Sequence, residues 1–125
     1  MSNHNHDKIT DPTDPTVFGP GLWYSIHVTS LEIAEKDFIN WIEIILNRIP
    51  CLTCKQHSLE YLSKNPIKLF LGIKDINGEY IGMFKWTWQF HNNINEHLKK
   101  KYIDLNTAYL MYNHTSNICT SSCSN

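Results

Sequence analysis

Two cysteines three residues apart, Cys51 and Cys54, are the residues of this chain best suited to chemistry. At the start of a helix, side chains at i and i+3 share one face, and their Cα atoms come within the ~4.4–6.8 Å that a disulfide tolerates. The unpaired N–H groups of a helix start also favour the thiolate, the form that attacks disulfides. The spacing therefore predicts a redox-active pair.

A structural zinc site is the main alternative for these two cysteines. Cys51 and Cys54 would form half of such a site, and Cys119 with Cys123 could supply the other half. Zinc knuckles usually occupy turn-rich loops that contain glycine, and no glycine lies near Cys51. We favour redox chemistry. A helical interaction domain with incidental cysteines is a third alternative.

The composition is that of one small domain. The chain has 125 residues, of which 42% are hydrophobic and 12% aromatic, enough to bury a core of its own. Its formal charge of −1 argues against broad nucleic-acid binding. There is no run of eighteen apolar residues to span a membrane, and the first residues lack the pattern of a signal peptide. We therefore expect cytosolic synthesis, where cysteines are more often catalytic or metal-binding than structural.

Apolar residues recur at helical spacing in five segments. Gly19-Pro20-Gly21 predicts a turn into a first helix, a second helix should stop near Pro50, and a third should run from Cys51 to about Ser63. Residues 67–80 read as a connecting loop, although 67–73 could hold a short strand or turn. A long fourth helix should cover about 81–99 and a short fifth about 105–112. Because nothing alternates with period two, we expect an all-α helical bundle rather than a thioredoxin-like sheet.

The two ends of the chain differ in composition from the segment between them. Residues 1–17 are polar and repeat Asp-Pro-Thr, a composition that predicts a disordered tail. Residues 114–125 are rich in Ser, Asn and Thr and predict a flexible tail that carries Cys119 and Cys123. The folded domain should therefore span residues 18–113.

Two helices carry flat polar side chains within apolar surroundings. Trp23 and His27 stand four residues apart on the first helix, as do His91 and Asn95 on the fourth. Either pair alone is more simply a packed aromatic ring beside a satisfied histidine. Together with the cysteine pair they favour a planar heteroaromatic cofactor, which needs stacking surfaces, hydrogen-bonding groups and adjacent sulfurs.

Three segments together resemble the motifs of the Erv/ALR family of FAD-linked sulfhydryl oxidases. They are GPGLWYSIH at 19–27, IPCLTCKQH at 49–57 and HNNINEHLKK at 91–100. They occur in the family's order and spacing, and the similarity covers about residues 18–113. The chain looks most like the short single-domain members encoded by large cytoplasmic DNA viruses. The resemblance implies a four-helix bundle with an additional short fifth helix, bound FAD and usually a homodimer.

The resemblance also implies roles for single residues. Cys51 would receive the incoming attack and Cys54 would face the flavin. Lys99 or Lys100 would reach the pyrophosphate, although a lysine run is also simply a favourable helix end. The implied cofactor contacts are Gly19, Trp23, His27, His57, Trp86, His91, Asn92, Asn95, Lys99, Lys100 and, beside the adenine, Tyr112.

The reaction that the resemblance implies is thiol oxidation. A protein dithiol, such as a thioredoxin-like protein, would reduce a shuttle pair formed by Cys119 and Cys123, which would then reduce Cys51 and Cys54. The electrons would pass to FAD and then to molecular oxygen, giving hydrogen peroxide, in the cytoplasm or in a virion.

Two positions depart from many cellular members of that family, which carry a second, structural disulfide between the fourth helix and the following segment. Trp88 and Leu105 stand where its cysteines are expected. Stability should then come from packing, FAD and dimerisation, since a ligand that binds only the folded state stabilises it.

Overall fold

The computed structural model describes residues 11–113, and this part of the chain is helical. Its elements are α1 Pro15–Glu32, α2 Glu35–Asn47, α3 Leu52–Lys64, a 3-10 helix Ile67–Phe70, α4 Gly82–His97 and α5 Leu105–Tyr112. Within the described residues, β pairing is limited to one bridge between Lys74 and Tyr80. The predicted all-α class, four helices with a short fifth, is confirmed.

Helix α1 lies at the centre of the arrangement. It packs against α4, α2 and α5, while α3 packs on α2. Rings from α3 also reach α4, where Tyr61 stacks on Phe90 with ring centroids 5.0 Å apart. The bundle closes on one apolar core, in which the largest fully buried side chains are Trp86, Phe38, Phe84, Phe90, Ile26, Ile42 and Leu46.

The first helix begins earlier than the sequence analysis predicted. Asp14 is its N-cap, and one carboxylate oxygen accepts hydrogen bonds from the backbone N–H of Thr16 at 2.9 Å and from its hydroxyl at 2.8 Å. Pro15 suits the first helical position because its missing N–H needs no partner there. The predicted turn at Gly19-Pro20-Gly21 is therefore wrong. Residues 15–17 belong to the helix rather than to the tail that was expected to end at residue 17.

The remaining helices agree with their predicted bounds to within two or three residues. The predicted loop contains a short 3-10 helix instead of a strand. Residues 1–10 of the predicted N-terminal tail lie outside the described residues. The predicted C-terminal tail, 114–125 with Cys119 and Cys123, also lies outside them. No helix in the described range is both long and apolar enough to span a bilayer.

A close approach between the 3-10 helix and α4 fixes how the loop returns to the bundle. Gly82, the first residue of α4, is buried, and a Cβ atom at this position would overlap the backbone carbonyl oxygen of Phe70. Only glycine leaves room for this contact, because a backbone carbonyl cannot move aside as a flexible side chain could.

We expect Gly82→Ala to lower the free energy of unfolding by about 3 kcal/mol or more, because the overlap forces α4 away from the loop. Gly21→Ala is the matched control. Gly21 lies inside α1 with open space around it, and alanine there should raise the free energy of unfolding by about 0.5 kcal/mol. Urea unfolding followed by circular dichroism measures both. Equal stability of Gly82→Ala and the wild type would contradict the predicted overlap.

Candidate functional site

The cysteine pair stands where the sequence predicted, at the start of α3. Cys51 is the N-cap, and its Sγ accepts the backbone N–H of Cys54 at 3.4 Å. The two Sγ atoms lie 2.6 Å apart, and both cysteines are free thiols. The hydroxyl of Thr53 lies 3.3 Å from the sulfur of Cys51. One turn of helix thus brings two sulfurs and a hydroxyl together.

The two thiols differ in acidity because their surroundings differ. The thiol hydrogen bond from Cys54, followed by the hydroxyl of Thr53 and the backbone N–H of Cys54, lowers the pKa of Cys51 to about 7. Burial and the adjacent Cys51 sulfur raise the pKa of Cys54 to about 11. Cys51 is therefore the thiolate of the reduced pair near neutral pH, and Cys54 keeps its proton.

A cavity of about 960 Å³ opens beside the pair, between α1, α3 and α4. Cys54 lines it and Cys51 does not. The predicted cofactor residues in its wall are Gly19, Trp23, His57, His91, Asn95, Lys100 and Tyr112. Sequence reasoning missed most of the apolar wall, including Phe18, Leu22, Ile26, Phe90 and Ile94, which had been assigned to packing or not singled out.

A parallel stack of rings forms one wall of this cavity. The Trp23 indole lies on the His91 imidazole with centroids 3.9 Å apart and planes within 3°. Trp23 also meets Phe90 at 5.0 Å in a tilted arrangement. The predicted faces on α1 and α4 therefore meet, and both Trp23 and His91 line the cavity.

His27 lies behind this wall and is buried. Its Nε2 lies 2.8 Å from Nδ1 of His91, and its Nδ1 lies 2.9 Å from the hydroxyl oxygen of Thr87. Tyr112 stacks on its ring, with centroids 4.3 Å apart. His27 does not line the cavity, but its neighbours His91 and Tyr112 do. Thr87, which stands one helical turn before His91, was missed by sequence reasoning.

Two residues predicted to contact the cofactor have structural partners instead. Trp86 is fully buried in the core, and its indole N–H donates to the carbonyl of Asn65 at 2.7 Å. The side-chain amide of Asn92 donates to the Ile103 carbonyl at 2.8 Å and accepts the Ile103 backbone N–H at 3.1 Å. Neither lines the large cavity. An aromatic or amide residue on a helix has the same appearance in sequence whether it faces a ligand or the core.

The contacts of Ile103 lie where the structural disulfide of cellular family members was expected. The indole N–H of Trp88 donates to the same Ile103 carbonyl at 2.7 Å, beside Asn92. Tyr102 packs edge-on against Trp88, with ring centroids 6.2 Å apart. A hydrogen-bonded clasp formed by Trp88, Asn92 and Ile103 thus ties the segment after α4 back to that helix.

The two lysines at the end of α4 have different positions. Lys99 has a left-handed backbone with φ of 57°, its N–H bonds to the Glu96 carbonyl at 3.1 Å, and the N–H of Lys100 bonds to the Asn95 carbonyl at 2.7 Å. This pattern closes the helix and reverses the chain. Lys100 then lines the cavity and Lys99 does not. Of the two lysines predicted for pyrophosphate, the structure brings only Lys100 to the site.

The zinc alternative has no support in the described residues, among which no three potential ligands lie close enough together to hold a metal ion. The four-cysteine site proposed above would also need Cys119 and Cys123, which lie outside the described range.

Comparison with known proteins decides the family. Residues 20–114 match the Erv1 / Alr family. The chain belongs to the Erv1/Alr family. An African swine fever virus protein named "FAD-linked sulfhydryl oxidase" is 32% identical over 93 residues, which cover 69% of this chain and 71% of that protein. Proteins named "Putative FAD-linked sulfhydryl oxidase" from Frog virus 3 and Invertebrate iridescent virus 3 are 24% and 22% identical over 112 and 106 residues. Those matches cover 81% and 79% of this chain and 69% and 68% of the relatives.

The cavity of this Erv1/Alr chain has the groups that FAD requires. Its volume of about 960 Å³ is at the upper end of the ~300–1,000 Å³ typical of small-molecule sites. Trp23 and His91 offer surfaces for a flat ring, Asn95 offers amide groups, Lys100 offers a cation for phosphate, and Cys54 adds a thiol. The residues present therefore fit this cofactor.

The acidity of Cys51 can be tested by its rate of alkylation. In the reduced protein, iodoacetamide should modify Cys51 with a rate that rises with pH and levels off above a midpoint of about 7. Thr53→Val removes one of the hydrogen bonds to the sulfur and should move the midpoint upward, towards that of an ordinary thiol. Thr53→Ser keeps the hydroxyl and is the control. Mass spectrometry of the Cys51 peptide gives the rate, and an unchanged midpoint in Thr53→Val would show that the hydroxyl has no effect.

Proposed function

We propose that this chain is an FAD-dependent sulfhydryl oxidase, which oxidises protein dithiols with molecular oxygen and releases hydrogen peroxide. The observation that carries the proposal is the position of Cys54, which lines a cofactor-sized cavity while its partner Cys51 stays outside it. Membership of the Erv1/Alr family and the name of the African swine fever virus relative support the same activity.

The two cysteines divide the reaction between them in this proposal. With the pair oxidised, a substrate thiolate attacks the Cys51 sulfur, and the bond between Cys51 and Cys54 breaks. A second substrate thiolate then attacks the mixed disulfide, which releases oxidised substrate and leaves both cysteines reduced. The low pKa of Cys51 makes it a good leaving thiolate in this second attack. Bound FAD would supply the remaining chemistry, accepting two electrons from the reduced pair and passing them to oxygen.

The cavity residues bind and orient the cofactor in this proposal. Trp23 and His91 give the stacking surface, Asn95 gives amide hydrogen bonds, and Lys100 faces the phosphates. Gly19, His57 and Tyr112 complete the predicted contacts that the cavity wall includes. We assign Trp86, Asn92 and Lys99 to structural roles, and His27 acts through His91.

Cys119 and Cys123 are proposed as the shuttle that passes electrons from a large substrate to Cys51. Tyr112, at the end of α5, lines the same cavity as Cys54, so the described chain ends beside the site. Cys119 follows Asn113 by six residues, a span of at most about 20 Å when extended. A homodimer, a thioredoxin-like substrate and a cytoplasmic or virion location belong to the proposal and are supported by the family resemblance.

The central test replaces Cys54 by serine. The purified wild-type chain should be yellow, with a flavin absorption band, and should consume oxygen with dithiothreitol. Cys54→Ser should keep the flavin band but lose oxygen consumption, because no disulfide can form beside the cofactor. Ser63→Ala, on an exposed position of the same helix, is the control and should behave as the wild type. A colourless wild-type chain, or normal turnover by Cys54→Ser, would contradict the proposed function.

The shuttle can be tested separately because a small reductant can reach Cys51 directly. Replacing both Cys119 and Cys123 by serine should leave flavin content and dithiothreitol oxidation nearly unchanged. Oxidation of a reduced thioredoxin-like protein should slow by at least about tenfold, since a tethered thiol acts at a high effective concentration. Truncation after His114 should give the same result. Oxygen uptake with both donors measures it, and equal rates with the protein donor would exclude a shuttle role.

A further inference from the structure

A buried chain of hydrogen bonds begins at the hydroxyl of Thr87 and ends in the cavity. The Thr87 hydroxyl donates to the carbonyl of Phe84, one turn earlier in α4, at 2.7 Å. The same oxygen lies 2.9 Å from Nδ1 of His27, whose Nε2 lies 2.8 Å from Nδ1 of His91. Thr87 is fully buried and does not itself line the cavity.

Elementary chemistry decides which atom donates and which accepts in each of these hydrogen bonds. A threonine hydroxyl has a single proton, and here that proton goes to the Phe84 carbonyl, so the oxygen can only accept from His27. A neutral imidazole has one donor and one acceptor, and the Nε2 of His27 must therefore accept. The Nδ1 of His91 then donates to it. This leaves the Nε2 of His91 with a bare lone pair.

Both rings are neutral, as this direction requires. Burial lowers the pKa of His27 to about 3, with a smaller contribution from His91. Burial, followed by the ammonium of Lys100, lowers the pKa of His91 to about 4. Tyr112 stacks on His27, and burial raises the pKa of its hydroxyl, so this group too is uncharged at neutral pH.

We propose that Thr87 is a positioning residue, which fixes the tautomers of His27 and His91 so that His91 offers a hydrogen-bond acceptor to an N–H or O–H donor of bound FAD. The inference rests on the proposed function, since the donor belongs to the cofactor. His91 is suited to this role because it both lines the cavity and stacks on Trp23, which holds its ring in place.

Removing the Thr87 hydroxyl should reverse the direction of the hydrogen bond between His27 and His91. In Thr87→Val, an N–H at Nδ1 of His27 would be buried without an acceptor, which is unfavourable. The other tautomer avoids this cost, because its Nε2–H can donate to Nδ1 of His91. His91 would then have its proton on Nε2 and would present a donor to the cavity. The Nε2–H of His91 would then face the N–H or O–H donor of FAD, and the hydrogen bond between His91 and FAD would be lost.

The experiment reads the tautomers directly in the full-length chain, with and without FAD. Long-range proton–nitrogen correlation spectra distinguish Nδ1–H from Nε2–H imidazoles, and the signals of His91 are assigned by their loss in His91→Gln. The wild type and Thr87→Ser should show Nδ1–H at both His27 and His91. Thr87→Val should show Nε2–H at both and should bind FAD about tenfold more weakly by fluorescence titration.

Ser30→Ala is the matched control, since Ser30 is also a buried hydroxyl and donates to the backbone carbonyl of His27 rather than to its ring. It should keep the wild-type tautomers. An Nε2–H form of His91 in the wild type would overturn the inference even if Thr87→Val did not fold. So would unchanged tautomers in Thr87→Val, or reversed tautomers with unchanged FAD affinity. Absence of FAD binding by the wild type would instead overturn the proposed function, and the tautomers in the FAD-free chain would still decide whether Thr87 sets them.

Discussion

The packing of α1 against α4 is the contact on which the rest of the structure depends. Trp23 from α1 lies flat on His91 from α4, with ring centroids 3.9 Å apart. Phe90 from α4 also packs against Trp23, in a tilted arrangement. Such aromatic pairs contribute ~0.5–1.5 kcal/mol each beyond the burial of their area. Because Trp23 and His91 also line the cavity, the interaction that joins the two helices is the one that builds the proposed flavin site. Core and site therefore share their side chains.

The two cysteines differ in acidity and in access to the cavity because they stand at different positions on α3. Cys51 caps α3 from outside the cavity, and its sulfur accepts a backbone N–H at the end of the helix where negative charge is favoured. Cys54, nearly one turn further along α3, lines the cavity. The same helix start thus creates one acidic thiol outside the cavity and one protonated thiol in its wall, which is the asymmetry that the proposed transfer of electrons needs.

Much of this arrangement could be predicted from the sequence, because the fold class, α2 to α5 and the cysteine pair depend on local patterns. The start of α1 was misjudged because Gly19-Pro20-Gly21 is a strong turn signal, while the cap at Asp14 was hidden in a polar repeat. Trp86 and Asn92 were assigned to the cofactor because a resemblance gives the residue type at a position but not what packs against it. Nothing in the sequence marks Thr87, because its proposed effect on His91 depends on His27, which α1 places between the two residues.

The clasp of Trp88, Asn92 and Ile103 holds the segment after α4 against that helix, at the place where cellular relatives were expected to have a disulfide. Each of its hydrogen bonds contributes on the order of 1 kcal/mol net, whereas a native disulfide contributes about 2–5 kcal/mol. The three hydrogen bonds of the clasp are together of the same order as one disulfide, but they are not covalent, and the left-handed turn at Lys99 adds backbone strain within the same segment. That segment brings Lys100 to the cavity, and Asn95, in the last turn of α4, also lines the wall. In the proposed function FAD contacts both residues, and a ligand that binds only the folded state stabilises it by mass action. FAD would then add to the stability that the clasp gives this segment.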